Sequence, residues 1–242
     1  MRYKTGKSSY KHDCRTLHVS DYIPADGDGA IPSPSVVRWS DALKQPLPMD
    51  ENNELSCCGP AAFAHMRQVW TANRGNELVL PVPDVIEIYK SQGYVPGDPS
   101  TDNGVCLLDM LKWLRSQKMI DGYAHVNIRT HFMGAMQLFG GAMLGLQIQD
   151  AQQDQFDAGQ PWAMVPGKPI EGGHAVNAIN ATADGNIDIG TWGKVQPVTQ
   201  AYFQSQCDEC WVLFSGDWVD RAKAAPCSVD YDSLLADLAK VA

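Results

Sequence analysis

The chain has 242 residues, 44% hydrophobic and 19% charged, enough for one large globular domain or two small lobes around a common core. Its formal net charge of −9 excludes nucleic acid or anionic membrane as the main partner, because a phosphate-binding surface needs clustered Lys and Arg. No run approaches the roughly 20 apolar residues of a membrane span, and Met1 leads into polar residues rather than an apolar leader. Seven cysteines, odd in number and irregularly spaced, predict mostly reduced thiols and a cytoplasmic setting.

In chain order, residues 1–50 lack periodicity and hold Pro24, Pro32, Pro34, Pro46 and Pro48. That predicts an extended, proline-rich arm, with Trp39 pinning part of it to the core. The basic stretch Arg2 to Arg15 reads as a solvated, loosely ordered terminus. Small and apolar residues then predict a helix from Pro60 to about Thr71, ended by Gly75. A second helix is expected from Asp84 to Ser91 and a third from about Val105 to Gln117, where Leu107, Leu108, Leu111 and Leu114 share one face.

Past Gly122 the pattern predicts a short strand at Ala124 to Arg129, a helix at Phe132 to Phe139, and a strand from Ala142 to Ile148. A hairpin follows, His174 to Asn180 and Asn186 to Thr191, turned at Ala183-Asp184-Gly185-Asn186. A short amphipathic helix is expected at Tyr231 to Val241. Helices first and antiparallel strands second define an α+β chain. The expected division is the arm at 1–50 and a domain at 51–242, with a helical lobe at 51–122 and a β-rich lobe at 123–242.

Cys58 sits just ahead of Gly59-Pro60, at the start of a helix, where the dipole and free amides favour a thiolate. Cys57 competes for the same role. A histidine beside the sulfur would complete the pair used in acyl transfer, and His174 opens an apolar strand after two glycines. Asn52, six residues before Cys58, could supply a side-chain N–H to an oxyanion hole together with the Cys58 backbone N–H. His65 lies seven residues along the helix, about 10 Å from Cys58, and reads as a packed or surface residue. The Cys207-x-x-Cys210 spacing has no second ligand pair, so no metal and no cofactor are expected.

These residues resemble the papain-like peptidase superfamily, and most of all a group of papain-like proteins from bacteriophages, prophages and some soil bacteria. The opening Lys11-His12-Asp13-Cys14-Arg15-Thr16-Leu17 matches that group, and Ser56-Cys57-Cys58-Gly59-Pro60-Ala61-Ala62-Phe63-Ala64-His65 matches its Gly-Asp-Cys-Thr-x-Ala-Ala-x-x-His segment. Trp70-Thr71-Ala72-Asn73, Gly93-Tyr94-Val95-Pro96-Gly97, Gly172-Gly173-His174-Ala175-Val176 and Thr191-Trp192-Gly193 continue the pattern in order. The resemblance sets the nucleophile at Cys58 and the base at His174. It implies a nucleophile-bearing helical lobe packed on an antiparallel β lobe.

It further implies a thiol hydrolase of peptide or isopeptide bonds acting through a Cys58 thioacyl intermediate, with Trp192 shielding the histidine. Where the superfamily has Asn-Ser-Trp-Gly, this chain has Gly190-Thr191-Trp192-Gly193, leaving Asp188 or Thr191 to orient the imidazole. The implied partner is a peptide or protein substrate, in the host cytoplasm if phage-encoded. The alternative is a catalytically impaired fold serving as a virion component or binding module among other phage proteins.

Overall fold

The computed structural model describes residues 3–23, 36–218, 236, 237 and 240. Helix α1 (Cys58–Asn73) is buried on almost every side and forms the axis of the first half of the fold. Gly59 allows that close packing, since a Cβ there would lie 2.5 Å from a Val105 methyl. Helices α2 (Val82–Lys90) and α3 (Leu107–Ser116) each turn one apolar stripe inward, burying Val85, Ile88 and Tyr89 in α2 and Leu107, Leu108, Leu111 and Leu114 in α3. They fall where the apolar spacing predicts them, with ends displaced by one or two residues.

The second half is built on an antiparallel sheet. Its strands are β1 (Val36–Arg38), β2 (Gly122–His125), β3 (Ala142–Gln149), β4 (Ile170–Thr182), β5 (Ile187–Thr191), β6 (Lys194–Val198) and β7 (Cys207–Phe214). The spatial order is β2-β7-β3-β4-β5-β6, and β1 pairs with the far end of β4 through Val36 opposite Thr182. Helix α4 (Phe132–Phe139) precedes β3 and the hairpin β4–β5 follows, as the sequence predicts. Helices α5 (Asp150–Asp157) and α6 (Gln200–Gln206) and strands β1, β6 and β7 were not expected. The fold is thus α+β, and α1 lies against β4, which carries the start of α1 to the middle of that strand.

The N-terminal stretch corrects one expectation. Residues 6–8 are hydrogen-bonded into the fold and Lys7 is only 6% exposed, so the basic terminus is not a loose solvated tail. Its described cations lie against carboxylates: Lys4 against Asp102, Lys7 against Asp208 and Glu209, Lys11 against Asp109, and Arg15 against Asp13, which Lys112 shares. Trp39 does pin the arm, donating its indole N–H to the Met136 carbonyl at 2.8 Å. Residues 24–35, Cys227 and all of the expected Tyr231–Val241 helix but residues 236, 237 and 240 lie outside the described residues. Among the described residues, no helix is long and apolar enough to cross a membrane.

Candidate active site

Cys58 is the first residue of α1 and is 1% exposed. Its Sγ accepts the backbone N–H of Ala175 at 3.3 Å, across 117 residues of chain. The nucleophile candidate therefore touches the residue that follows His174 on β4. The His174 ring is fully buried, and its Nε2 lies 2.7 Å from Thr191 Oγ1 while Nδ1 has no hydrogen-bond partner. With Nε2–H donated to the hydroxyl, Nδ1 carries the lone pair that can take a proton from a thiol.

Burial sets the resting protonation of both groups. It pushes the Cys58 thiol up to about 11, against the backbone N–H groups of Ala175, Gly6 and Gly59 and the charge of Lys7, which pull it down. It pushes the His174 imidazole down to about 3. Burial thus favours the neutral form of each, a thiol and an imidazole, over an ion pair. The competing Cys57 is turned away, with its thiol donating to the Asp50 carbonyl at 3.2 Å.

Of the two candidates for orienting the imidazole, the fold brings Thr191 to His174 and not Asp188. Asp188 instead accepts from Asn180 Nδ2 at 2.9 Å, opposite it across the β4–β5 ladder. Asn180 stands six residues beyond His174 on an extended strand, a separation of about 20 Å. Gly190 also has a packing reason for lacking a side chain, since a Cβ there would lie 2.5 Å from Asn177 Oδ1 and 2.8 Å from a Leu47 methyl.

Trp192 covers the imidazole, with ring centroids 4.6 Å apart and planes inclined by 30°. It does so from an unusual backbone position. Trp192 and Gly193 form the two-residue turn between β5 and β6, both with positive φ (44° and 75°). Such turns match the twist of the strands, but a bulky aromatic rarely adopts that conformation. Trp162, Tyr3 and Phe156 pack on the same indole and hold it there. Asn52 is buried in the loop before α1, where its Nδ2 donates to the Leu55 carbonyl at 3.1 Å. That bond uses one of two amide hydrogens and fixes the plane of the group. His65 is packed, its Nε2 being 2.8 Å from the Pro48 carbonyl oxygen and 3.3 Å from Asp50.

No pattern in the sequence foretells what covers these groups. Residues 3–8 run as a single segment between Val105 and Gly173, with isolated β-bridges to both at Lys7. Lys7 N–H donates to the Gly173 carbonyl at 2.9 Å, Val105 N–H to the Gly6 carbonyl at 2.6 Å, and Ser8 N–H to the Val105 carbonyl at 2.9 Å. Tyr3 stacks on Trp192 with centroids 4.7 Å apart, and Trp192 donates its indole N–H to the Lys4 carbonyl at 3.3 Å. The walls that receive this segment are glycine. A Cβ at Gly104 would lie 2.0 Å from the Gly6 carbonyl oxygen, and one at Gly173 would lie 2.4 Å from that of Lys7. The groove beside Cys58 is thus shaped for an extended backbone, and in this structure the chain's own N-terminal segment fills it.

No protein-family model matches the chain, and no curated protein matches it in sequence. Solved structures do match. Xylellain, a cysteine protease from Xylella fastidiosa, superposes with a TM-score of 0.68 at 15% identity, over 89% of this chain and 98% of that one. A digestive procathepsin L from Tenebrio molitor larval midgut gives 0.57 at 9% identity, over 83% and 76%. The Carica candamarcensis cysteine protease CMS1MS2, solved with E-64, gives 0.53 at 14%, over 75% and 99%. The fold is that of the papain-like cysteine proteases.

Proposed function

We propose that this chain is a thiol hydrolase that cleaves peptide or isopeptide bonds through a thioacyl intermediate on Cys58. The observation that carries this reading is the hydrogen bond from the Ala175 N–H to Cys58 Sγ, which brings the sulfur to the residue after His174, whose ring is tethered at Nε2 and keeps Nδ1 unpartnered. His174 Nδ1 takes the thiol proton as sulfur attacks the substrate carbonyl carbon. The resulting oxyanion faces the Cys58 backbone N–H and Asn52 Nδ2. When the tetrahedral species collapses, the C–N bond breaks and His174 returns the proton to the leaving amine. Water, deprotonated by the same nitrogen, then releases the carboxylate product and the thiol. Thr191 orients the ring, and Trp192 keeps water from its Thr191-bound edge.

The covering segment must leave before a substrate can enter. Its departure also rehydrates the dyad, which removes the main cause of the raised thiol pKa and favours the thiolate–imidazolium pair. Gly6→Val provides a full-length open form, because a side chain at Gly6 would overlap the Ser56 carbonyl, 2.0 Å from a Cβ there. In that variant, Cys58 should react with iodoacetamide near neutral pH much faster than in the parent chain. The gain should vanish when His174→Ala is added, with labelling read by peptide mass spectrometry. Alkylation of Cys58 no faster than an ordinary thiol in the open form would sink the activated-nucleophile reading.

A further inference from the structure

Lys7 does more than plug the groove. Its side chain is fully buried, and its ammonium sits 3.0 Å from Asp208, 3.0 Å from Glu209 and 3.1 Å from the Ser8 carbonyl oxygen. Two of the lysine's N–H donors are hydrogen-bonded, to Asp208 and to the Ser8 carbonyl, and Glu209 is a second counter-ion in salt-bridge contact. Gly145 on β3 makes the depth available, since a Cβ there would lie 2.0 Å from Lys7 Cε. Glu209 on β7 is buried at the pocket floor, held by the Trp211 indole N–H at 2.7 Å, and Gln147 donates to Asp208.

Consider the pocket once the N-terminal segment has left. Glu209, enclosed in this structure with Lys7 against it, would lose its counter-ion, and an unpaired carboxylate in an enclosed site is strongly unfavourable. The pocket therefore favours an entering group that restores a positive charge at that point. A long apolar side chain fits the channel but leaves the charge unmatched. An arginine spreads five donors over a planar fork, whereas the two carboxylates that the pocket itself supplies, Asp208 and Glu209, converge on a single ammonium position.

We infer that this pocket is a specificity subsite for the lysine side chain of an extended peptide, with Glu209 and Asp208 as selecting charges, Gly145 as the gap that admits the stem, and Lys7 as its resident mimic. The inference deepens the hydrolase reading by naming a substrate class, but its test does not depend on turnover. The full-length Gly6→Val/Lys7→Ala variant is titrated with a fluorescently labelled peptide of residues 3–9, and binding is followed by anisotropy. Matched peptides carry norleucine or arginine at the Lys7 position.

The lysine peptide should bind roughly ten- to a hundredfold more tightly than the norleucine peptide, the scale of losing hydrogen bonds to charged groups. Arginine should fall between them. Glu209→Gln should remove most of this preference, and Asp208→Asn, at a more exposed position with less risk to folding, should narrow it. Equal binding of the lysine and norleucine peptides, or binding of neither, overturns the inference. Lysine selectivity without iodoacetamide-reactive Cys58 would leave the subsite standing and reject the hydrolase.

Discussion

At the scale of single residues, the chemistry turns on one hydrogen bond that replaces the expected amide. Thr191 Oγ1, 2.7 Å from His174 Nε2, is the imidazole's orienting partner, and both groups are buried. Thr191→Val keeps the shape of the side chain and deletes the hydroxyl. It leaves Nε2 buried and unpaired, at a cost of about 1–3 kcal/mol in stability, visible as a lower urea midpoint. In the Gly6→Val open form the same change should slow Cys58 alkylation by roughly ten- to a hundredfold, because the ring loses its fixed orientation. Thr191→Ser, which keeps the oxygen, should recover most of both losses. If Thr191→Val alkylates as fast as the parent open form, Thr191 only fills space. Cys58, His174 and Trp192 were legible in sequence through their order and their glycine neighbours. Thr191 and Asp188 were not separable there, because which of them reaches His174 depends on the β4–β5 register.

Among the elements, those with an apolar period could be read and those held by distant partners could not. α3 and α4 announce themselves by buried stripes. α5 is polar, and its capping box uses Gln149 and Gln152, with glutamine standing where serine or threonine is usual. β7 begins with Cys207-Asp208-Glu209-Cys210, whose charges mask a central strand, and their counter-ion Lys7 lies some 200 residues upstream. The groove segment at residues 3–8 has no period, since each of its backbone hydrogen bonds crosses to another part of the chain. The β5–β6 turn was legible only as Trp-Gly, and its strain allows a quantitative test. Trp192→Gly removes an unfavourable φ worth about 1–3 kcal/mol but also deletes a buried indole worth about 3–5 kcal/mol. The net should be a destabilisation of about 2 kcal/mol by urea unfolding. His174, stripped of its cover, should titrate nearer 6.5 than its present value of about 3, as followed by NMR. A stabilised variant would mean that the turn's strain outweighs the stack.

For the molecule as a whole, two histidines whose protonation the fold opposes, the buried His174 and the half-buried His125, tie folding to pH. His174 lies in the groove and is held down at about 3 by burial. His125 lies on β2, and burial, then His18 and His12, hold it at about 4. An unfolded chain protonates both near 6.5, so between there and about 4 the unfolded state binds more protons than the folded one. Stability must then fall as pH falls through that window, by up to about 1.4 kcal/mol per pH unit for each histidine. Glu209 opposes this. Burial raises its pKa despite Lys7, so it binds its proton more readily when folded and returns some stability on acidification. One carboxyl set against two imidazoles leaves the net slope unfavourable to the folded state. The urea midpoint should therefore drop steadily from pH 7 to 4, and His125→Phe, which removes one of the two protons, should flatten the decline by about half. A midpoint constant across that range would show that neither ring is held neutral by the fold. It would also remove the basis for a resting thiol–imidazole pair under the N-terminal segment.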